Sequence, residues 1–166
     1  LSSLASYART NAYGFIESPY RKVLREIPCT SDSIAGRIAT EAIIDGSGRT
    51  IVAAGKIIGA TRVPAINRLA EGTMIHVDPY VGSGEDHVIY LSADQEEKFR
   101  VAQANSNLDD LNQFIGDKVE IRYGENYIQE SPDNIDLIDV SPMQIMSVSA
   151  ALIPFLEHDD ANRALM

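Results

Sequence analysis

Apolar and polar residues alternate over short stretches of this chain, which is the pattern of half-buried β-strands. The clearest case is residues 118–123, where every second side chain is apolar. Gly124 then marks a turn, and residues 127–130 predict the returning strand of a hairpin. Two more strands are predicted at residues 87–91 and 135–140. The pattern therefore favours a β-rich chain over a helical one.

A second group of β signals fills the middle of the chain. Residues 36–44 and 49–58 mix β-branched with small side chains and flank the turn sequence Asp-Gly-Ser-Gly, so they predict a hairpin. Residues 60–70 predict a short helix that carries Pro64 in its first turn. Extended pieces follow as far as Val81. Because glycines recur throughout, this part predicts a small, strongly curved β barrel.

Two places carry the pattern of a helix N-terminus. Ser92, followed by Gln95 three residues later, is a capping-box pattern. Ser141, Pro142 and Gln144 combine a cap, a proline at the first helical position and a capping box. These helices are short. The fold class predicted for the whole chain is therefore β-rich α+β: a small antiparallel-sheet domain with short helices, plus the inserted barrel.

Residues 1–23 predict short extended pieces, because turn formers interrupt them and Pro19 disfavours a helix. Arg9, Arg21 and Lys22 form a basic cluster there. A phosphate contact is one interpretation of this cluster, and a solvated basic edge is the other. Acidic pairs elsewhere, at residues 96–97 and 109–110, are expected on solvated faces.

Charge and composition narrow the classes of function. The chain has 166 residues, with 14 basic and 24 acidic side chains and a net charge of −10. This balance argues against a broad face that grips nucleic-acid backbone, because phosphate binding depends on Lys and Arg. Cys29 is the only cysteine, so an internal disulfide is excluded. No apolar run approaches the ~18 residues that a membrane span needs.

The most unusual stretch is residues 153–166, Ile-Pro-Phe-Leu-Glu-His-Asp-Asp-Ala-Asn-Arg-Ala-Leu-Met. Ionisable side chains stand between two apolar flanks, and such a segment needs partners that neutralise it. Adjacent side chains such as His158 and Asp159 cannot easily share one metal ion, and His76 and His87 have no companions at ligand spacing. The chain also ends as a new helical pattern begins, so we expect it to be part of a larger protein.

These residues resemble the bacterial RNA polymerase β subunit, in the segment that follows the rifampicin-binding region and leads toward the active centre. Residues 4–23, Leu-Ala-Ser-Tyr-Ala-Arg-Thr-Asn-Ala-Tyr-Gly-Phe-Ile-Glu-Ser-Pro-Tyr-Arg-Lys-Val, resemble an earlier part of the same family. Three further blocks, at residues 88–97, 102–105 and 139–144, resemble the parts of the family sequence that lie between these two segments. The resemblance covers roughly the first 23 residues and those from about 86 to the end.

The resemblance implies a division of the chain. Residues 1–24 and 86–166 are expected to form the external domain of the β subunit. Residues 25–85 are expected to form a lineage-specific insertion, because most family members pass almost directly from the first block to the next. The glycine-flanked hairpin of this insertion resembles the β-β′ module, a sandwich-barrel hybrid.

The resemblance also implies a function and its residues. The parent enzyme is a DNA-directed RNA polymerase, a cytoplasmic nucleotidyltransferase that makes RNA from ribonucleoside triphosphates on a DNA template. Arg163 matches a family arginine near the nucleotide triphosphate, and its guanidinium suits phosphate. The neighbouring polar residues are expected to hold Arg163 in place or to form a buried structural ion network: Glu157, His158, Asp159, Asp160 and Asn162.

No catalytic or metal-binding residue is expected in this chain, and the isolated chain is expected to be inactive. The resemblance places the Mg²⁺-binding aspartates in the β′ subunit. The implied partners are the remainder of β, the β′, α, omega and sigma subunits, the DNA template and RNA.

Residues 25–85 leave an alternative open. The insertion is either a protein-interaction module that docks a regulator or a surface spacer. A docking module should expose an apolar or aromatic patch. Met74, Ile75 and Tyr80 are the residues whose exposure bears on this choice. A carrier domain that is modified at Lys56 is not supported, because the sequence around this lysine lacks the Met-Lys context of such sites.

Overall fold

The computed structural model describes residues 8–140, which form ten β-strands and two short α-helices. The predicted β-rich character with short helices is confirmed. In chain order the strands and α-helices are β1 (Arg9–Thr10), β2 (Ile16–Pro28), β3 (Ile43–Ile44), β4 (Thr50–Val52), α1 (Val63–Ile66), β5 (Met74–Val81), β6 (Val88–Leu91), α2 (Ala93–Glu96), β7 (Val101–Ala102), β8 (Val119–Tyr123), β9 (Asn126–Glu130) and β10 (Leu137–Asp139). Short 3₁₀ helices occupy Ala60–Arg62, Glu85–His87 and Pro132–Asn134.

These residues divide into two compact units. The first unit takes residues up to 23 together with 81–107 and those from 114, and the second takes 24–80 and 108–113. Each unit has an apolar core of its own. The first core contains Tyr20, Leu91, Val101 and Leu137, with Ile89 and Phe99 packed against it. The second contains Ile27, Cys29, Ile34, Ala39, Ile43, Val52, Ile58, Ile66, Ile75, Val77 and Tyr80.

The sheet of the first unit is built around β2. This strand pairs antiparallel with β1, β6 and β10, and the sheet continues from β10 through β7 and β8 to β9. β10 and β7 run parallel, with Leu137 opposite Val101 and Ile138 opposite Ala102. The sheet is therefore mixed, whereas the sequence predicted an antiparallel one. In the chain, the β8–β9 hairpin separates β7 from β10. The chain reverses direction twice, once into β8 and once into β9, and β10 then runs in the same direction as β7.

β2 is thirteen residues long, so the prediction of short extended pieces in this region is wrong. Pro19 lies inside the strand, opposite Tyr90 of β6. Pairing of β2 with β1 ends at Glu17, and pairing with β10 begins at Tyr20. Pro19 therefore pairs with one strand only. No second strand needs a hydrogen bond from its backbone nitrogen, so the missing N–H is tolerated.

Two predicted turns are confirmed, and a glycine with positive φ occurs in each. Gly124 (φ 59°) is the first residue of the two-residue loop between β8 and β9, and Tyr123 lies opposite Asn126. Gly in left-handed backbone at this position is the signature of a type II′ hairpin turn. In the β3–β4 hairpin, Gly48 (φ 82°) follows Asp45, whose Oδ1 accepts hydrogen bonds from backbone N–H groups two and four residues on.

The second unit joins the end of β2 to β5 and to the β3–β4 hairpin. β5 pairs with β2, and isolated bridges join Ala39 to Val77 and Ile38 to Ile57. The predicted helix is present as α1, which has Pro64 in its first turn. Residues 108–113 complete this unit, because Gln113 forms a bridge with Tyr80.

Candidate functional site

The residues that the sequence singled out for function lie outside the described residues. They are Arg163, Glu157, His158, Asp159, Asp160 and Asn162, all beyond residue 140. The predicted helix start at Ser141 lies outside as well. The structure therefore neither brings these residues together nor separates them. It does describe the strand, β10, that leads to them.

A partly buried ionic cluster lies at the end of β10, in the first unit. It contains Arg122 of β8, Asp139 of β10, Glu96 of α2 and Tyr20 of β2. The strand register places the first two on one sheet face: Arg122 lies opposite Val101, which lies opposite Leu137, and Asp139 is two residues further on. Tyr20 lies opposite Asp139. α2 supplies Glu96 to the same cluster.

All three nitrogens of the Arg122 guanidinium donate hydrogen bonds within this ionic cluster. Arg122 Nη1 donates to Asp139 Oδ2 at 3.1 Å and Nη2 donates to Oδ1 at 3.0 Å, which is a bidentate pair. Arg122 Nε donates to Glu96 Oε1. The Tyr20 hydroxyl donates to the other oxygen of Glu96 at 3.1 Å. One arginine therefore ties together a helix and two strands, and Tyr20 adds a third strand.

The ionic cluster is shielded from solvent. The side chains of Arg122 and Glu96 are each 11% exposed and that of Asp139 is 17% exposed. Burial alone lowers the pKa of Arg122, but the hydrogen bonds and charges of Asp139 and Glu96 outweigh burial and raise it. The arginine is therefore always charged, and its two acidic partners compensate that charge. The ionic cluster therefore joins α2, β2, β8 and β10.

Sequence reasoning missed this ionic cluster, and the expectation of a solvated face for Glu96 is wrong. Its neighbour Glu97 is exposed as expected. The capping box gave a partial signal, since it placed a helix at residues 93–96. The box is present: Gln95 Oε1 accepts the backbone N–H of Ser92 at 3.1 Å. Nothing local indicated that Glu96 would meet Arg122.

The basic cluster near the N-terminus is only partly available for a ligand. Arg9 Nε donates to Glu17 Oε2 at 2.8 Å, and its guanidinium lies 4.2 Å from the centre of the Tyr90 ring. Lys22 is exposed and Arg21 is half-buried. Arg9 is thus engaged within the chain although its side chain is 59% exposed, and Lys22 is the other exposed cation of the three.

A second buried arginine lies in the second unit. Arg37 is 3% exposed, donates from Nε to the Ser33 carbonyl at 2.8 Å, and lies 3.9 Å from the centre of the Tyr80 ring. Its Nη1 has no hydrogen-bond partner among the described residues. Burial lowers the pKa of Arg37, while Tyr80 and Asp109 oppose that shift. Arg37 therefore packs against Tyr80, a residue of the core of the second unit.

Three further observations bear on the predicted functions. Within residues 8–140, no three His, Cys, Asp or Glu side chains are grouped so that they could hold a metal ion. Of the residues proposed for a docking patch on residues 25–85, Met74 is 41% exposed, but Ile75 and Tyr80 are buried. The described part of the chain also has no helix with the length and apolar character needed to cross a membrane.

Comparison with known proteins identifies the class of this domain. The sequence profile of the RNA polymerase beta subunit external 1 domain matches residues 75–141. This range contains β6 to β10 and all of the ionic cluster except Tyr20.

Similarity to individual proteins extends over the whole chain. The chain is 46% identical over 167 residues to the DNA-directed RNA polymerase subunit beta of Dehalococcoides mccartyi, and 40% identical over 166 residues to that of Solibacter usitatus. It is 38% identical over 166 residues to the subunit of Acetivibrio thermocellus. The chain belongs to the family of the bacterial DNA-directed RNA polymerase subunit beta.

The chain corresponds to a small part of that subunit. It spans 13%, 10% and 9% of the lengths of these three relatives, while each alignment covers 100% of the chain. Residues 25–85 lie within the aligned range for all three relatives.

Proposed function

We propose that this chain supports the active centre of a DNA-directed RNA polymerase, and that its first unit positions the segment that carries Arg163. The parent enzyme would synthesise RNA in the cytoplasm from ribonucleoside triphosphates on a DNA template. Its Mg²⁺ would be held by the β′ subunit. The chain would work with the remainder of β and with the β′, α, omega and sigma subunits.

The ionic cluster is the observation that carries this proposal. Asp139, at the end of β10, is fixed by two hydrogen bonds from Arg122. Val140 follows and is buried. The distance that a segment can span from a fixed point is limited, because each residue adds only a few ångströms. The segment from residue 141 onward therefore starts from a rigid support.

Arg163 is proposed to contact the phosphates of the incoming nucleotide. A guanidinium remains charged at every relevant pH and binds phosphate oxygens through paired N–H donors. Glu157 and Asp160 would hold this arginine, together with His158, Asp159 and Asn162. A charge-assisted hydrogen bond contributes ~1.5–3 kcal/mol, so one such contact accounts for a ~10- to 100-fold effect on catalytic efficiency.

The second unit is proposed to be a peripheral module with the β-β′-module fold. The β3–β4 hairpin, the bridges from Ile38 to Ile57 and from Ala39 to Val77, and the pairing of β5 with β2 support a small curved sheet. A regulator-docking role for residues 25–85 would depend on exposed apolar side chains. Met74, Ile44 and Ile57 are exposed there.

The experiment compares two variants of the intact polymerase in transcription assays with a range of nucleotide concentrations. Arg163→Ala should raise the nucleotide KM or lower kcat, with partial recovery in Arg163→Lys. In the second variant a short glycine linker replaces residues 24–80, which is feasible because Gly82 N–H donates to the Lys22 carbonyl at 3.0 Å and keeps the ends together. This variant should retain catalysis. Normal kinetics for Arg163→Ala would contradict the proposal, as would loss of elongation in the linker variant.

A further inference from the structure

The outer edge of β9 is an open strand edge. β9 pairs with β8 on one side, and no strand within residues 8–140 pairs with it on the other. Tyr127 is 54% exposed and Ile128 is 39% exposed. Prolines and β-bulges commonly protect such edges. β9 contains no proline, and its register with β8 is continuous from Asn126 to Glu130.

The hairpin geometry determines which backbone groups this edge offers. Because the loop has two residues, Tyr123 and Asn126 form the hydrogen-bonded pair that closes it. Pairs alternate along an antiparallel ladder, so Tyr127 and Gln129 occupy the non-hydrogen-bonded positions relative to β8. Their N–H and C=O groups point away from β8. The edge therefore offers two donors and two acceptors, spaced as an incoming strand requires.

The acidic charge near this edge favours a partner segment that carries basic side chains. Residues 117–133, which span the β8–β9 hairpin, carry five acidic and two basic side chains, a net charge of −3, and one further cation, Arg100 Nε, lies 4.0 Å from Glu130 Oε2. Glu120 faces the same side of the hairpin as Tyr127, and Glu125 lies in the exposed loop. An extended segment with Lys or Arg at alternate positions would place its cations on the face of Glu120 and Tyr127, and its apolar residues on the opposite face, that of Ile128.

The composition of β9 also distinguishes a reversible partner from a permanent one. Its sequence, Asn-Tyr-Ile-Gln-Glu, mixes polar with apolar side chains. Permanent interfaces are more hydrophobic than this, whereas reversible ones combine aromatic anchors with polar neighbours. We propose that the β9 edge binds an extended, basic segment of a separate protein, which adds to the sheet as a further strand.

The test uses intact polymerase that contains this chain. The probe is a fluorescein-labelled peptide of eight residues that alternates lysine and valine, and binding is followed by fluorescence anisotropy. Gln129→Pro removes an outward N–H without removing a β8–β9 hydrogen bond, and it should weaken binding about tenfold. Gln129→Thr is the matched control and should bind as the unmodified protein does. A glutamate-valine peptide should bind at least about tenfold more weakly than the lysine-valine peptide.

Hydrogen exchange identifies the occupant of the edge. The amides of Tyr127 and Gln129 should exchange rapidly in the free polymerase and slowly with the lysine-valine peptide bound. Equal binding by the Gln129→Pro and Gln129→Thr variants would overturn the proposal. Protection without peptide would overturn it too, because another part of the polymerase would then cover the edge. Protection that rises with polymerase concentration would instead assign the edge to a second copy of the chain.

Discussion

Removing Arg122 from the ionic cluster should loosen the end of β10. In Arg122→Met, Glu96 and Asp139 lose their common cation while their side chains remain only 11% and 17% exposed. Breaking a buried ion pair from one side costs ~3–5 kcal/mol, because it leaves uncompensated charge. Since these carboxylates keep some contact with water, we expect about 3 kcal/mol.

Hydrogen exchange of the β8 and β10 amides measures this loss, because it reports local opening of the sheet. A loss of about 3 kcal/mol corresponds to roughly 100-fold faster exchange. The control is Glu97→Gln, which changes an exposed carboxylate one residue from Glu96 and should leave exchange unchanged. A second variant combines Arg122→Met with Glu96→Gln and Asp139→Asn, and should recover most of the protection because no buried charge remains. Exchange in Arg122→Met that matches the control would refute the reasoning.

Two other predictions concern the hairpin turns. The pKa of Asp45 is lowered, mainly by the Ser47 hydroxyl and then by the backbone N–H groups of Arg49 and Ser47. The stability that this carboxylate contributes is therefore present above its ordinary pKa of 3.8 and is lost as the pH falls below that value. The protection of the β3–β4 amides relative to their intrinsic exchange rates should fall over that range, and Asp45→Ala should abolish this pH dependence. Gly124→Ala should destabilise the β8–β9 hairpin by about 1 kcal/mol, because alanine disfavours a φ of 59°. Gly46→Ala is its control in thermal unfolding, since Gly46 has no positive φ and both sites have open space for a Cβ; equal shifts in Tm would contradict the prediction.

The local elements of this fold were predictable because their causes are local. The turns at Gly124 and Asp45 could be predicted from the residues on either side of them. The capping box could be predicted from Ser92 and from Gln95 three residues later. Pro64 marked the first turn of α1 for the same reason. Alternation of apolar residues was enough to predict β8, since Val119 and Ile121 are buried while Glu120 between them is exposed.

Features that depend on distant pairing could not be predicted in this way. The hydrogen bond between Tyr20 and Glu96 joins residues 76 positions apart. The length of β2 depended on strands that arrive later in the chain, and so did the tolerance of Pro19. Glu96 resembled any other exposed acid in a short helix until the sheet register placed Arg122 beside it. The role of Arg163 stays a prediction, because it rests on resemblance and lies outside the described residues.

A double-mutant cycle in the intact polymerase tests the central claim most directly. The catalytic efficiency for nucleotide addition, kcat/KM, is measured for Arg122→Met, Arg163→Ala and the variant with both changes. If the ionic cluster acts by positioning Arg163, Arg122→Met should lower the efficiency alone but have little further effect once Arg163 is absent. If the two losses simply multiply, the ionic cluster does not act through Arg163, and the account of the first unit as its support is contradicted.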